Sequence, residues 1–287
     1  MDHPKKYNIE SHLKFLIGER NPHTSIDKLH KCGKYIANHF MDLGLSTKEI
    51  PVVFEETVSY NILGIQSGLE PAFPYFVLGA HYDTVQGSPG ADDNASAVAA
   101  LLEVARCLND ISLKSTLIFA GFTLEEHGFV GSKHFVERIP SYGSGKISGM
   151  ISLEMLGFKN PLTGSQKYPP YVDKTKYPNS GDFIAIVGNE HSQKLVSQLI
   201  QSMEVASPNL SAETLVVPGA GNGFQEVRLS DHSSFWDRGH KAVMVTDTAF
   251  FRNPNYHQPS DTLETLDIDF INEISAGIAE FLKNILS

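Results

Sequence analysis

Residues 75–80 read Tyr-Phe-Val-Leu-Gly-Ala and run straight into His81-Tyr82-Asp83; a Gly90 turn then leads to Ala91-Asp92-Asp93-Asn94-Ala95-Ser96. A short strand with no polar position fits the middle of a sheet covered on both faces, so the chain must supply helices for both sides. The strand also delivers an imidazole and several carboxylates to one end. Such groups need partners there, because an isolated charge in a low-dielectric site is very costly. A divalent metal is one such partner: zinc accepts nitrogen and carboxylate oxygen, and catalytic zinc sites keep one position open for water. A polar loop with a hydrogen-bonded histidine would satisfy this segment equally well, so the rest of the chain must decide.

The remaining pattern alternates helix and strand. Residues 26–45 place Leu29, Cys32, Ile36, Phe40 and Leu43 at helical spacing, with Gly44 as a stop. Strand-like runs follow at 50–54 and 58–65. After the Gly90 turn, residues 95–108 form a helix burying Val98, Leu101, Leu102, Ala105 and Leu108. Residues 115–121 (strand), 127–138 (helix) and 149–153 (strand) come next. Residues 160–181 are rich in Pro, Gly, Tyr and Lys without apolar periodicity, and a connection that long is usually an active-site wall or lid, otherwise a disordered insertion. The alternation resumes at 183–187 (strand), 190–203 (helix), 215–217 (strand) and 241–246 (strand). It closes with an amphipathic helix at 268–286 carrying Ile271, Ile274, Ile278, Phe281 and Ile285. No repeat or linker divides the pattern, so residues 1–287 read as a single α/β domain. Its sheet is mixed but largely parallel, with helices on both faces. Ligands in such sheets bind beyond the carboxyl ends of strands, where His81, Glu125, Glu126 and Glu154 all fall.

Charge and cysteine content narrow the partners. The net charge is −10 with no basic stripe, which disfavours nucleic acid and anionic membranes. Cys32 and Cys107 are too few and too far apart for a disulfide framework or thiolate metal site, and read as small core residues. The first residues lack the apolar core of a secretory signal and no apolar run approaches a membrane span, so the expected location is cytoplasmic, although a leaderless secreted chain would read the same.

Three further segments carry chemistry. In Leu124-Glu125-Glu126-His127-Gly128 adjacent glutamates point in different directions. One can bind a metal while its neighbour faces the open coordination position as a general base; a solvated helix start is the alternative. Ser152-Leu153-Glu154-Met155 sets a lone acid at an apolar strand end, and Asn255-Tyr256-His257-Gln258 adds a histidine in a turn-rich loop.

Taken in order, His81-Tyr82-Asp83, Gly90-Ala91-Asp92-Asp93-Asn94-Ala95-Ser96, Glu125-Glu126, Leu153-Glu154-Met155 and Tyr256-His257 resemble the motifs of the co-catalytic di-zinc aminopeptidases. Relatives of that family include glutamate carboxypeptidases and glutaminyl cyclases. Ser230-Asp231-His232 and Pro259-Ser260-Asp261-Thr262 are also similar to family segments, and the match runs from about residue 26 to the end. The resemblance implies a phosphorylase/hydrolase-like zinc-peptidase fold and two zinc ions that share a bridging hydroxide. His81 would bind one ion, with Asp83 orienting its ring. Asp93 would bridge the two, and Glu126 and His257 would complete the other site. Glu125 would be the general base, and Tyr256 a hydrogen-bond donor to the oxyanion. Glu154 departs from the family pattern, which often has aspartate as the second ligand beside His81; the extra methylene leaves its mode of binding, and so occupancy of that ion, open. Asp231 and His232 are not taken as ligands.

The implied activity is removal of N-terminal residues from peptides with a free N-terminus. A one-zinc glutaminyl cyclase and a carboxypeptidase or dipeptidase remain alternatives, the latter needing a cation such as Arg228 or Arg252 for the substrate carboxylate. A binding module that has lost catalysis is the remaining class, set against a full complement of chemically competent residues.

Overall fold

The computed structural model describes residues 2–139 and 144–287. Its frame is an eight-stranded sheet in the order β1-β2-β4-β3-β5-β8-β6-β7. The strands are β1 Ser46–Phe54, β2 Thr57–Gln66, β3 Tyr75–His81, β4 Leu117–Phe122, β5 Ile147–Glu154, β6 Phe183–Asn189, β7 Ser211–Val217 and β8 Ala242–Thr246. The central block β4-β3-β5-β8 is parallel. The β1–β2 hairpin and the β6–β7 pair join it through antiparallel contacts to β4 and β8. β3, β4, β6 and β8 are buried at every position. That is why their sequences run apolar rather than alternating.

The helices divide between the two faces. On one side α1 Lys6–Leu16, α2 Ile26–Asp42, α3 Ala97–Leu108, α5 Gln193–Ala206 and α7 Ile268–Leu286 pack over Phe76, Leu78, Ile151, Ile186 and Val245. On the other, α4 Val130–Val136 and α6 His232–Trp236 cover Val77, Ile118, Phe122 and Met244 with Phe135, Phe235 and Trp236. Leu29, Cys32, Ile36 and Phe40 are the buried stripe of α2, and Gly44 ends it at a φ of 75°, a conformation that costs glycine little. The α7 start is capped by the Asp267 carboxylate, which accepts from the Phe270 amide at 2.9 Å. Cys32 and Cys107 are buried and unpaired. Among the described residues no helix is long and apolar enough to cross a membrane.

Differences from the sequence reading are local. Helix α1 was not anticipated; it buries only Ile9, His12, Leu13 and Leu16, a stripe too short to stand out. The helix expected at 127–138 begins at Val130, because Leu124 and Phe129 take left-handed conformations and hold 125–129 in a turn. The strand expected at 215–217 extends to the seven residues of β7, since pairing with β6 along its whole length overrides the polar Ser211 and Glu213. Residues 160–181 contain one short 3-10 turn, Lys174–Lys176, and are closed at the base by reciprocal Asn160 and Gly181 backbone hydrogen bonds of 2.7 and 2.8 Å.

His12, between α1 and α2, meets the Tyr35 hydroxyl at 2.8 Å through Nδ1, while its buried Nε2 has no hydrogen-bond partner. Burial, reinforced by the charges of His39 and Arg106, pushes its pKa from 6.5 down to about 3. The neutral ring therefore contributes stability that is complete above 6.5 and is lost as pH falls from there towards 3. The thermal midpoint should drop over this window, and His12→Phe should make the drop shallower. An unchanged slope in that variant would contradict the assignment.

Candidate metal centre and active site

Three adjacent parallel strands end at the same level, and each delivers a polar group there. His81 is the last residue of β3 and pairs with Phe122 of β4, three residues before Glu125-Glu126; Glu154 is the last residue of β5. The connection after β3 brings Asp93, at the start of the segment leading into α3, and the loop after β8 brings Tyr256 and His257. The site thus lies where open α/β sheets bind ligands, beyond the carboxyl ends of the strands.

The ligand-type atoms form two clusters, His81 with Glu125 and Glu154, and Asp93 with Glu126 and His257, each with its atoms within 4.8 Å of one another. Asp93 joins them. Its Oδ1 lies 3.3 Å from His81 Nε2, and its Oδ2 lies 3.1 Å from His257 Nε2. Glu154 Oε2 is 3.5 Å from His81 Nε2, and Glu126 Oε2 is 3.2 Å from His257 Nε2. Glu125 Oε2 stands farther off, at 3.9 Å from His81 Nε2.

These groups fit metal ions better than they fit one another. Asp93 Oδ1, Glu126 Oε1 and His257 Nε2 are buried without a hydrogen-bond partner, a costly arrangement unless a cation sits among them. Four carboxylates face two imidazoles, which leaves a negative surplus in a buried place. Burial and the charges of Glu154 and Glu126 hold the Glu125 carboxyl well above its ordinary range, with His81 opposing. Burial and Asp93 push Glu126 up to about 7. Burial works against charge on His257 as well, but Asp93 and Glu126 outweigh it and raise the ring to about 10. Nitrogen and oxygen donors in two groups of three suit divalent zinc-type cations.

The supports behind these side chains are equally specific. Asp83, fully buried, approaches His81 Nδ1 at 3.5 Å and also accepts the backbone amides of Glu125 and Glu126 at 3.0 and 3.2 Å. One carboxylate therefore sets both the ring and the Glu-Glu turn. Asp261 accepts the amides of Asp92 and Asp93 at 2.9 and 3.1 Å, tying the loop that carries His257 to the one that carries Asp93. Asn94 donates to Leu153 O at 3.0 Å and accepts Met155 N at 2.9 Å, fixing the β5 end. Ser230 Oγ donates to Glu154 Oε2 at 2.7 Å. Beneath the loop between His81 and Asp93, the buried Arg20 guanidinium donates to the carbonyls of Leu16, Gly18, Tyr82, Pro89 and Gly90. Leu124, Met155 and His257 have φ of 59°, 50° and 59°. Such backbone costs on the order of 1–3 kcal/mol per residue and clusters at functional sites.

Of these supports, Arg20 lay outside every segment singled out in the sequence, Asn94 lay in one noted for its neighbouring carboxylates, and Ser230 and Asp261 lay in segments noted only for family similarity. Asp231 and His232 stay outside both clusters. His232 Nε2 bonds to Val227 O at 2.8 Å, and Asp231 is buried behind the site with its pKa pushed up to about 7, chiefly by burial. Tyr256 stacks on His257 with ring centroids 3.7 Å apart. Arg228 is taken up by Asp237 and Ala220 O, and Arg252 by Gln166 Oε1 and Phe183 O at 2.8 and 2.7 Å. Arg228 is thus engaged, and Arg252, though its Nη2 has no hydrogen-bond partner, is buried and lines neither the cleft nor the cavity beside it.

A largely apolar cavity adjoins the metal cleft and shares Glu154, Leu229 and Tyr256 with it. Its walls include Phe183, Val187, Met244 and Phe251, and the long loop adds Tyr168, Val172 and Tyr177.

Sheet, helices and paired histidine–carboxylate clusters together define a metal-dependent α/β hydrolase. The model of peptidase family M28 matches residues 61–282, and the chain belongs to that family. It is 31% identical to protein YfbL of Escherichia coli K12 over 98% of this chain and 89% of YfbL. It is 33% identical to aminopeptidase YwaD of Bacillus subtilis 168, over only 40% of this chain and 28% of YwaD. The LapA aminopeptidase of Legionella pneumophila has a similar fold, with a TM-score of 0.77 at 20% identity, covering 99% of this chain and 72% of LapA.

If Asp83 orients His81 and the Glu125-Glu126 turn, Asp83→Ala should weaken divalent metal affinity by about 10- to 100-fold. Competition against a chromogenic zinc chelator measures this, and wild-type affinity in the folded variant would contradict the role.

Proposed function

We propose that the protein is a zinc aminopeptidase that removes residues from peptides with a free N-terminus. The observation that carries this reading is Asp93, whose two carboxylate oxygens face His81 and His257 separately. His81 and Glu154 would hold one ion, Glu126 and His257 a second, with Asp93 shared between them. When bound, zinc activates water as a nucleophile and polarises the scissile carbonyl.

The chain's own residues then divide the remaining work. Glu125, the acid standing farthest from His81 Nε2 among the three near it, takes a proton from the attacking water. As the carbon–nitrogen bond breaks, Glu125 returns that proton to the departing amine. Tyr256 lines the cleft and donates a hydrogen bond to the carbonyl oxygen as it gains charge. The substrate's cationic α-amino group meets the carboxylates of Glu125 and Glu154, and its first side chain enters the adjoining apolar cavity.

The engagement of Arg228 and the burial of Arg252 away from the cleft weigh against a carboxypeptidase, which needs a cation facing its substrate. Ligand atoms in place for a second ion weigh against a one-zinc cyclase.

Glu125→Gln should keep zinc but lose about a hundredfold or more in kcat, roughly 3 kcal/mol, on an aminoacyl anilide. N-acetylated substrates should not be cleaved by the wild type. Near-normal turnover in the folded, zinc-loaded variant would sink the mechanism, and release from acetylated substrates would sink the aminopeptidase assignment.

A further inference from the structure

The floor of the apolar cavity is a row of residues paired across four strands. Glu154 pairs with Thr246, Thr246 with Ala185, and Ala185 with Glu213. Residues paired in this way face the same side of a sheet. The row therefore runs from a carboxylate at the metal cleft, over two small side chains, to a second carboxylate on β7. Three interstrand steps separate its ends, about 14 Å between backbones. All four residues line the cavity.

Glu213 is half-buried, and among the described residues it has no hydrogen bond or ion pair. Tyr168 and Tyr177 line the same cavity beside it: burial and then the Glu213 charge push the Tyr168 phenol up to about 12 and raise that of Tyr177. The other charged groups in the lining do not neutralise it. Glu226 is engaged by the Tyr171 hydroxyl, and Lys167 lies exposed at the rim. The far end of the cavity thus offers one unpaired carboxylate flanked by two aromatic rings, a combination that attracts an organic cation.

On the aminopeptidase reading above, we infer that Glu213 is a specificity-determining residue that selects peptides beginning with a long basic residue, lysine or arginine. The apolar stem of such a side chain would lie over Thr246 and Ala185, against Phe183, Val187 and Met244. Its charged tip would reach Glu213 and the tyrosine pair. A leucine side chain fills the near half of the cavity and leaves the carboxylate untouched.

The discriminating pair is lysyl and norleucyl 4-nitroanilide, which differ at the end of the side chain by the ammonium group. The wild type should have the higher kcat/KM on the lysyl substrate. Glu213→Gln should lower the lysyl-to-norleucyl ratio by about tenfold or more while norleucyl turnover stays near wild type, which also reports that the variant is folded. A wild type that prefers norleucine, or a ratio unchanged by Glu213→Gln, would overturn the inference and leave the aminopeptidase reading intact. Absence of release from both substrates by the zinc-loaded wild type would instead overturn the aminopeptidase reading and this inference with it.

Discussion

Mutual repulsion among buried carboxylates is the constraint on which the rest of the site depends. Asp93, Glu125, Glu126 and Glu154 converge on His81 and His257, with Asp83 close behind. No arrangement of two imidazoles neutralises such a set, and burial raises the cost of every uncompensated charge. Divalent cations resolve the conflict, and the shared carboxylate of Asp93 sets where they would lie. Backbone amides donate to Asp83 and Asp261, and each of these two carboxylates holds a segment that carries a member of the clusters.

The fold supplies most of the geometry through strand register. Parallel strands buried on both faces end in register, so three neighbouring strand ends place His81, the Glu125-Glu126 turn and Glu154 within reach of one another without long loops. The left-handed backbone at Leu124, Met155 and His257 re-aims these groups in the last step. Arg20 performs a related task below the site, where its donors gather carbonyls from both the N-terminal segment and the loop that leads to Asp93.

How much of this could be read from the sequence follows from the range of each interaction. The central strands and amphipathic helices were legible because burial on a regular element leaves a period. His81 and Glu154 drew notice because an acid or histidine at the end of an apolar strand must be paired or ligated, whereas Asp93 and His257, which lie in loops, were singled out by the resemblance of the ordered set to one family. Arg20 was not legible: its partners are backbone carbonyls, those of Tyr82, Pro89 and Gly90 from a distant segment, and a carbonyl leaves no mark in a sequence. The same holds for the row from Glu154 to Glu213, which exists only through strand register. Pairing with β6 also explains why β7 is longer than its three most apolar residues suggested.

Metal content per chain tests the central claim most directly. Zinc-loaded wild-type protein, freed of loosely held ions and measured by mass spectrometry, should carry two zincs per chain, and Asp93→Ala should lose both. One zinc in the wild type, or two retained in the variant, would contradict a centre organised around Asp93.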